Sequence, residues 1–440
     1  MLSLSPPRPR GRAARIGALA GVAALLVAAP SASAAVPPFY EPPASLPSAN
    51  GTLIRNQPQP LGASVVIAGV PLWLPGKATK IMYRSTDANG LAVAVTGVYI
   101  EPTKSWTGGG PRPLVSFAEG TQGQGDTCAP SRTLQSPLVY DAGQLGAGYE
   151  VPGIYKFLDR GIAVVVTDYI GLGTPDRIHS YVDRLDMGHA VLDAARVALK
   201  VPGASVTSAS PVGIYGYSQG GGAAASAAEL QASYAPDVNL KATYSGAPPA
   251  NLMAVLKSAD GTLLTGVLGY AINGLLANNP ALKPVLDANT NDAGKAALAK
   301  VAEQCSADSI LSFAFQKTSS WTTSGKSAYD VVNSIPAAKA IADKQRIGTI
   351  KPSKPVMVLT GTQDDIVAHP QAKQLAVDWC AKGASVYYQP AIQWLGSGGT
   401  GLNHLGPGLL DMDKAQAWLV DRLKGSTADI NNCGLVGLLP

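Results

Sequence analysis

The stretch Gly216-Tyr217-Ser218-Gln219-Gly220 sets one hydroxyl between two glycines, and Asp364, Asp365 and His404 follow it in that order. A serine hydroxyl is a weak nucleophile until a base takes its proton, and the base needs an acid to orient it. G-x-S-x-G is the pattern in which a serine occupies a strained strand-to-helix turn, with partners following in the chain order serine, acid, histidine. Ser218 is therefore the candidate nucleophile, Asp364 the candidate acid and His404 the candidate base. Together these residue types perform acyl transfer from an ester or an amide. There are four histidines. His179 and His189 precede the serine and His369 stands five residues past Asp364, so each is expected to serve structure. His404 is expected in a glycine-flanked loop, Gly401 to Gly406.

Attack on a carbonyl develops negative charge that fixed N–H groups must meet. The Gln219 N–H is one expected donor. The second is expected from the loop Ala118-Glu119-Gly120-Thr121-Gln122-Gly123, from the backbone of Gly120 or Thr121.

Elements must position these groups, and the hydrophobic rhythm indicates which. The runs PLVSFA (113–118), IAVVVTDY (162–169), VGIYGY (212–217), LKATYSG (240–246), VMVLTG (356–361) and ASVYYQ (384–389) are short and unbroken, as strands buried on both faces are. Helical stretches are expected between several of them, at 151–160, 186–200 and 219–234, each stopped by Gly or Pro. Alternating strand and helix predicts a mostly parallel α/β sheet. Thr79–Ser85 and Leu91–Glu101 flank Asn89-Gly90, which predicts an antiparallel hairpin closed by a tight turn at one sheet edge. Residues 36–60 are rich in Pro, Ser and Asn and read as an extended surface segment. The final helix is expected over 409–423.

Between residues 251 and 346 the alternation stops and only helical patterns remain, which predicts an inserted cap. Within it, residues 263–276 carry apolar side chains at i, i+3 and i+4. Leu268 and Ile272 on this face are the candidate acyl-chain contacts. Gly266, Gly269 and Gly274 there would leave the segment mobile or open to a threaded chain. The resulting division is 1–34, a leader; 35–250, the first part of the core; 251–346, the cap; and 347–440, the second part.

The leader reading rests on Arg8, Arg10, Arg12 and Arg15, the apolar run 16–29 and Ala32-Ser33-Ala34, a secretory signal pattern. Its apolar run is too short for a membrane span. Cleavage after Ala34 lowers the formal charge from +5 to +1, which gives no electrostatic case for nucleic acid. Charged residues make up only 14% of the chain against 46% hydrophobic, the balance of a packed protein rather than a disordered one. Four cysteines, Cys128, Cys305, Cys380 and Cys433, lie far apart in an exported chain, which predicts two disulfides with three pairings open. Gly396 to Gly401 fits G-x-G-x-x-G, but no helix or βαβ unit follows, so it reads as a loop. With no H-E-x-x-H, no clustered metal ligands and no complete P-loop, no cofactor or metal is implied.

The pieces EGT (119–121), D-x-C-A-P-S (126–131), DYIGLGTP (168–175), GHAVLDAAR (188–196), GYSQGG (216–221), DDIV (364–367) and NHLG (403–406) resemble the secretory lipases typified by Candida lipase A. The resemblance covers nearly the whole chain after the leader. It implies an α/β-hydrolase core with a helical lid, and a secreted, cofactor-free lipase or carboxylesterase with Ser218, Asp364 and His404 in the roles given above. An ester or lipid substrate, transient contact with a lipid interface and a monomeric state belong to the same expectation. It also implies the disulfide pairs Cys128–Cys305 and Cys380–Cys433. Glu119 departs from the His-Gly pair common ahead of the second oxyanion donor in hydrolases. Acyl transfer to an alcohol, peptide hydrolysis by the same triad, and a non-catalytic binding protein on the same fold are the competing readings.

Overall fold

Continuously buried runs rich in β-branched and aromatic residues produce a nine-stranded sheet, seen in a computed structural model that describes residues 37–440 other than 63, 68, 69, 137, 142 and 143. The expected leader, 1–34, lies outside the described residues. In chain order the strands are β1 (Leu53–Gln59), the hairpin β2 (Ser64–Ile67) and β3 (Val70–Trp73), β4 (Gly76–Thr86), β5 (Ala92–Pro102), β6 (Leu114–Ala118), the hairpin β7 (Leu138–Asp141) and β8 (Gln144–Ala147), β9 (Ala163–Thr167), β10 (Val212–Tyr217), β11 (Leu240–Gly246), β12 (Val356–Gly361) and β13 (Val386–Ala391). The large sheet has the order β1-β4-β5-β9-β6-β10-β11-β12-β13. It is antiparallel from β1 to β9 and parallel from β9 to β13.

The core helices are the short α1 (Pro130–Thr133), α2 (Val151–Asp159), α3 (Arg184–Ala198) and α4 (Gln219–Tyr234). Between β11 and β12 the chain passes through α5 (Leu252–Ser258), α6 (Gly266–Asn278), α7 (Lys283–Asn289), α8 (Asp292–Val301), α9 (Ser306–Phe313), α10 (Ala328–Ser334) and α11 (Pro336–Lys344). After β12 come α12 (His369–Ala381), α13 (Leu402–Leu410) and α14 (Met412–Leu423). On one face of the sheet α3 and α4 bury Met187, Val191, Ala223 and Ala227 against Val95, Val165 and Ile214. On the other, α2 and α14 bury Ile154, Phe157, Trp418 and Leu419 against Phe117, Val164 and Tyr215. Both faces of the parallel strands are covered, which is why they read as unbroken apolar runs.

Several expectations need correction. The segment read as an extended surface stretch contains β1, which pairs with β4 at the sheet edge and tolerates Pro58 there because an edge strand can spare an N–H. The β4–β5 hairpin closes through five residues: the Asp87 carboxylate accepts the N–H groups of Asn89 and Leu91, so only Gly90 takes positive φ. The last helix is split into α13 and α14 by Asp411. The α6 glycines serve packing instead of mobility: a Cβ would strike Ser309 at Gly266, Val301 at Gly269 and the Tyr181 backbone at Gly274. Tyr270 on α6 is fully buried in the core cluster of α3 and α4.

The structure joins Cys128 to Cys305 and Cys380 to Cys433. The first disulfide ties the segment after β6 to the start of α9, across 177 residues of sequence. By the loop-entropy model, replacing Cys128 and Cys305 together by Ala is expected to cost about 5 kcal/mol of unfolding free energy, and the Cys380/Cys433 pair about 4 kcal/mol. Denaturant melts of the two double variants check the order; a larger loss for the shorter loop contradicts it.

Candidate active site

Ser218 has φ 58° and ψ −123°, a conformation that L-residues avoid, held between the end of β10 and the first turn of α4. Its N–H donates to the Gly246 carbonyl of β11 at 2.9 Å, and its own carbonyl accepts from Gly222 at 3.0 Å. Such a turn is affordable only where side chains are absent. A Cβ on Gly216 would collide with the Gly220 carbonyl, and one on Gly220 with the Ala118 carbonyl of β6. The result lifts the Ser218 Oγ above the carboxyl ends of the parallel strands.

His404 is buried and its Nε2 lies 2.8 Å from the Ser218 Oγ. Its Nδ1 lies 2.8 Å from the Asp364 Oδ2, while the Asp364 Oδ1 accepts from Ile366 at 3.0 Å and Val367 at 2.8 Å. With Nδ1 protonated toward Asp364, Nε2 is the acceptor facing Ser218. Asp365 points elsewhere, accepting from the backbone N–H of Gly401 at 2.9 Å and of His404 at 3.1 Å. His404 is not in a loop: it stands in the first turn of α13, because the Asp365 carboxylate takes first-turn N–H groups and Gly401, at φ 76°, supplies the left-handed entry. Two residues beyond the sequence-level candidates hold that turn. The Tyr217 hydroxyl donates to the His404 carbonyl at 2.6 Å, and Asn403 pins residues 395 and 396. Neither carries a signal separable in sequence from a core tyrosine or a turn asparagine.

The other histidines are structural in their contacts. His369 Nε2 meets the Tyr388 hydroxyl at 2.7 Å, and His189 Nδ1 meets the Thr86 carbonyl while its ring stacks on Tyr234. Burial pushes His179 down to about 4, against its bond to the Ile170 carbonyl. Neutral, it donates from Nδ1 to Ile170 and accepts at Nε2 from the Gln219 amide at 3.1 Å. Gln219 is the first residue of α4, so helix geometry gives its backbone N–H no intrahelical acceptor.

Of the two residues considered for the second donor, Gly120 has its N–H engaged, donating to the Glu150 Oε1 at 2.9 Å. Thr121 is in the wall of both cavities that reach Ser218. Its carbonyl accepts from Tyr149 at 3.0 Å and Ser306 at 2.6 Å, and its hydroxyl pairs with that of Tyr181 at 2.6 Å. Three buried carboxyls lie in and beside this loop. Burial, and the nearby Glu150 and Asp168, hold Glu119 well above the usual carboxylate range. Burial also raises Glu150 to about 7 and Asp168 to about 6, opposed by hydrogen bonds from Gly120 and from Ser131 and Thr96 respectively. Among the described residues no group of three or more His, Cys, Asp and Glu is arranged to hold a metal ion.

One cavity of about 200 Å³ runs from Ser218 into the helices between β11 and β12, lined by Leu256, Leu264, Leu268, Ile272 and Leu286 among others. Both candidate acyl-chain residues are in its wall. Leu268 is nearly fully buried and also packs on Ile366 and Val367, so it supports the loop of Asp364 as well.

A mostly parallel sheet that presents a serine at a strand-to-helix turn, with aspartate and histidine on later connections, is the α/β-hydrolase arrangement. Solved structures with this fold include the closed state of Candida antarctica lipase A, with 21% identity, 90% of this chain and 89% of that chain covered, and TM-score 0.73. The rice cell wall degrading esterase LipA from Xanthomonas oryzae has 18% identity, coverage of 85% and 100%, and TM-score 0.70. In sequence the chain is 27% identical over 395 residues to the probable inactive lipase MT1628 of Mycobacterium tuberculosis, covering 88% of this chain and 82% of that one. It is 29% identical over 409 residues to Lipase 2 of Candida albicans, covering 88% and 81%. Residues 139–431, more than half of the chain, match the secretory lipase family. The chain belongs to that family of ester hydrolases.

The buried carboxyls set a pH dependence of stability. Glu150 releases its proton near its ordinary value of 4.5 when unfolded and near 7 when folded. Between these values only the folded state keeps the proton, so stability falls as pH rises through that window, and Glu119 and Asp168 act in the same direction. Glu150→Gln retains an acceptor for Gly120 without the charge. Its melting temperature is expected to fall less than that of the unaltered protein between about pH 5 and about pH 8. An equal or steeper fall in calorimetry contradicts this origin.

Proposed function

We propose that the protein is a secreted lipase or carboxylesterase that cleaves esters through an acyl-enzyme on Ser218. The observation that carries this reading is the unbroken hydrogen-bonded order Ser218 Oγ, His404 Nε2, His404 Nδ1, Asp364 Oδ2, set on a turn that nothing but a need for the exposed hydroxyl explains. His404 takes the Ser218 proton as Oγ attacks the ester carbonyl, and Asp364 fixes the tautomer and stabilises the imidazolium. The Gln219 and Thr121 backbone N–H groups meet the developing oxyanion. The tetrahedral intermediate collapses as His404 returns the proton to the departing alcohol. Water, deprotonated by His404, then releases the acid from Ser218.

The helices between residues 251 and 346 act as the cap, and their cavity receives the acyl chain. The relative named as a probable inactive lipase does not change this reading, because this chain carries all three side chains in hydrogen-bonded order. Secretion is supported by the leader pattern, the family's description and the two disulfides. Among the described residues no helix is long and apolar enough to cross a membrane.

Ser218→Ala is expected to lower kcat on p-nitrophenyl octanoate by about 10⁶. Asp364→Asn is expected to cost about 10⁴ through the wrong imidazole tautomer, and Asp365→Asn far less, since it caps backbone only. An Asp365 effect exceeding that of Asp364 contradicts the assignment. For chain length, Ile272→Asn is the cleaner probe because Ile272 is only half-buried. Each buried methylene contributes about 0.8 kcal/mol, so kcat/KM for palmitate relative to acetate should fall about tenfold. An unchanged ratio places the acyl chain elsewhere.

A further inference from the structure

A second cavity, of about 370 Å³, also opens onto Ser218, and it differs from the first in one respect that bears on chemistry: His404 is in its wall. The proton that His404 takes from Ser218 must pass from Nε2 to the departing alkoxide, whose oxygen must then lie within hydrogen-bond reach of that nitrogen. The alcohol therefore leaves on the His404 side. The first cavity touches Ser218 without touching His404, which leaves it for the acyl chain.

We infer that the second cavity binds the alcohol part of the ester, and that its lining selects an apolar monohydric alcohol, long-chain or polycyclic. This rests on the hydrolase reading above. Its walls include Tyr217, Tyr270, Ile310, Leu409 and Met412. Several of the polar groups among its lining residues are already engaged, the Tyr215 hydroxyl and the second Glu150 oxygen being exceptions. The Tyr217 hydroxyl is spent on the His404 carbonyl, that of Tyr270 on the Gln304 carbonyl at 3.2 Å and that of Tyr149 on Thr121. Ser306 donates to the Thr121 carbonyl, and the Glu150 Oε1 accepts from Gly120. A polyol such as glycerol would bring hydroxyls to ring faces and methyl groups, and each one left unpaired weakens binding roughly tenfold or more. Each methylene of an apolar alcohol strengthens it about fourfold where it is fully buried. The mouth is open: Leu405, Leu409 and Tyr149 are exposed at its rim, so a long alcohol can extend past the pocket.

The test holds the acyl group constant and varies the alcohol, comparing ethyl, octyl and cholesteryl octanoate with 1-monooctanoylglycerol in mixed detergent micelles at equal mole fraction. Octyl or cholesteryl octanoate is expected to exceed both ethyl octanoate and monooctanoylglycerol in kcat/KM by about a hundredfold, and whichever of the two leads separates a chain from a ring. Leu409→Gln, at an exposed position that folding tolerates, should reduce that preference about tenfold while leaving the octanoate-to-acetate ratio of ethyl esters unchanged. Turnover of ethyl octanoate with no preference for the apolar alcohol, or with monooctanoylglycerol preferred, overturns the inference and leaves the hydrolase reading standing. A Leu409→Gln effect on the acyl ratio instead of the alcohol ratio also overturns it. No turnover of any ester removes both.

Discussion

The positive φ of Ser218 is the constraint on which the rest of the site depends. A residue with a side chain in this conformation costs of order 1–3 kcal/mol and persists only where its surroundings leave no alternative. Here the surroundings are the β6, β10 and β11 backbones and the first turn of α4, packed so closely that Gly216, Gly220 and Gly221 cannot carry a Cβ. The same closeness places the α4 N-terminus, with the free N–H of Gln219, beside the loop that follows β6. Nucleophile, helix N-terminus and loop are thus positioned by one packing arrangement, and loosening any of the three glycines would displace all of them.

What faces Ser218 is held by a different kind of interaction. His404 is fixed from three sides: by Asp364 at its ring, by Asp365 at its backbone N–H and by Tyr217 at its carbonyl. Two adjacent carboxylates thus divide the work, one orienting the imidazole and the other building the helical turn that carries it. The loop opposite is held by neutral and protonatable partners, with Glu150 on Gly120 and Tyr149 and Ser306 on Thr121. Raised carboxyl values in and beside that loop are consistent with the chemistry proposed. Burial disfavours charge on these carboxyls, and a protonated carboxyl repels a developing oxyanion less than a carboxylate does.

The parallel strands, the Ser218 turn and the order of Asp364 and His404 were legible in the sequence because each leaves a local mark: unbroken apolar runs, flanking glycines, and positions after successive strands. β1 was not, because its pairing with β4 outweighs a composition of Pro, Asn and Gln that alone suggests a loop. The helical setting of His404 was hidden for a related reason: its first turn is capped by Asp365, 39 residues away in sequence. The α6 glycines were misread as slack, since glycine spacing alone does not distinguish mobility from close approach to Ser309, Val301 and Tyr181. The engagement of the Gly120 N–H by Glu150 likewise depends on a contact across 30 residues that no local pattern encodes.

The central claim is that the Ser218 hydroxyl is activated by His404 and exposed to an incoming acyl carbon. An alkyl fluorophosphonate reports on both properties at once, because it forms a bond only with a serine whose proton is being removed. Peptide mass spectrometry after brief exposure should find a single phosphonyl adduct on the peptide containing Ser218, with the labelling rate strongly reduced in His404→Ala. An adduct on another serine, or a rate indifferent to His404, would contradict the account.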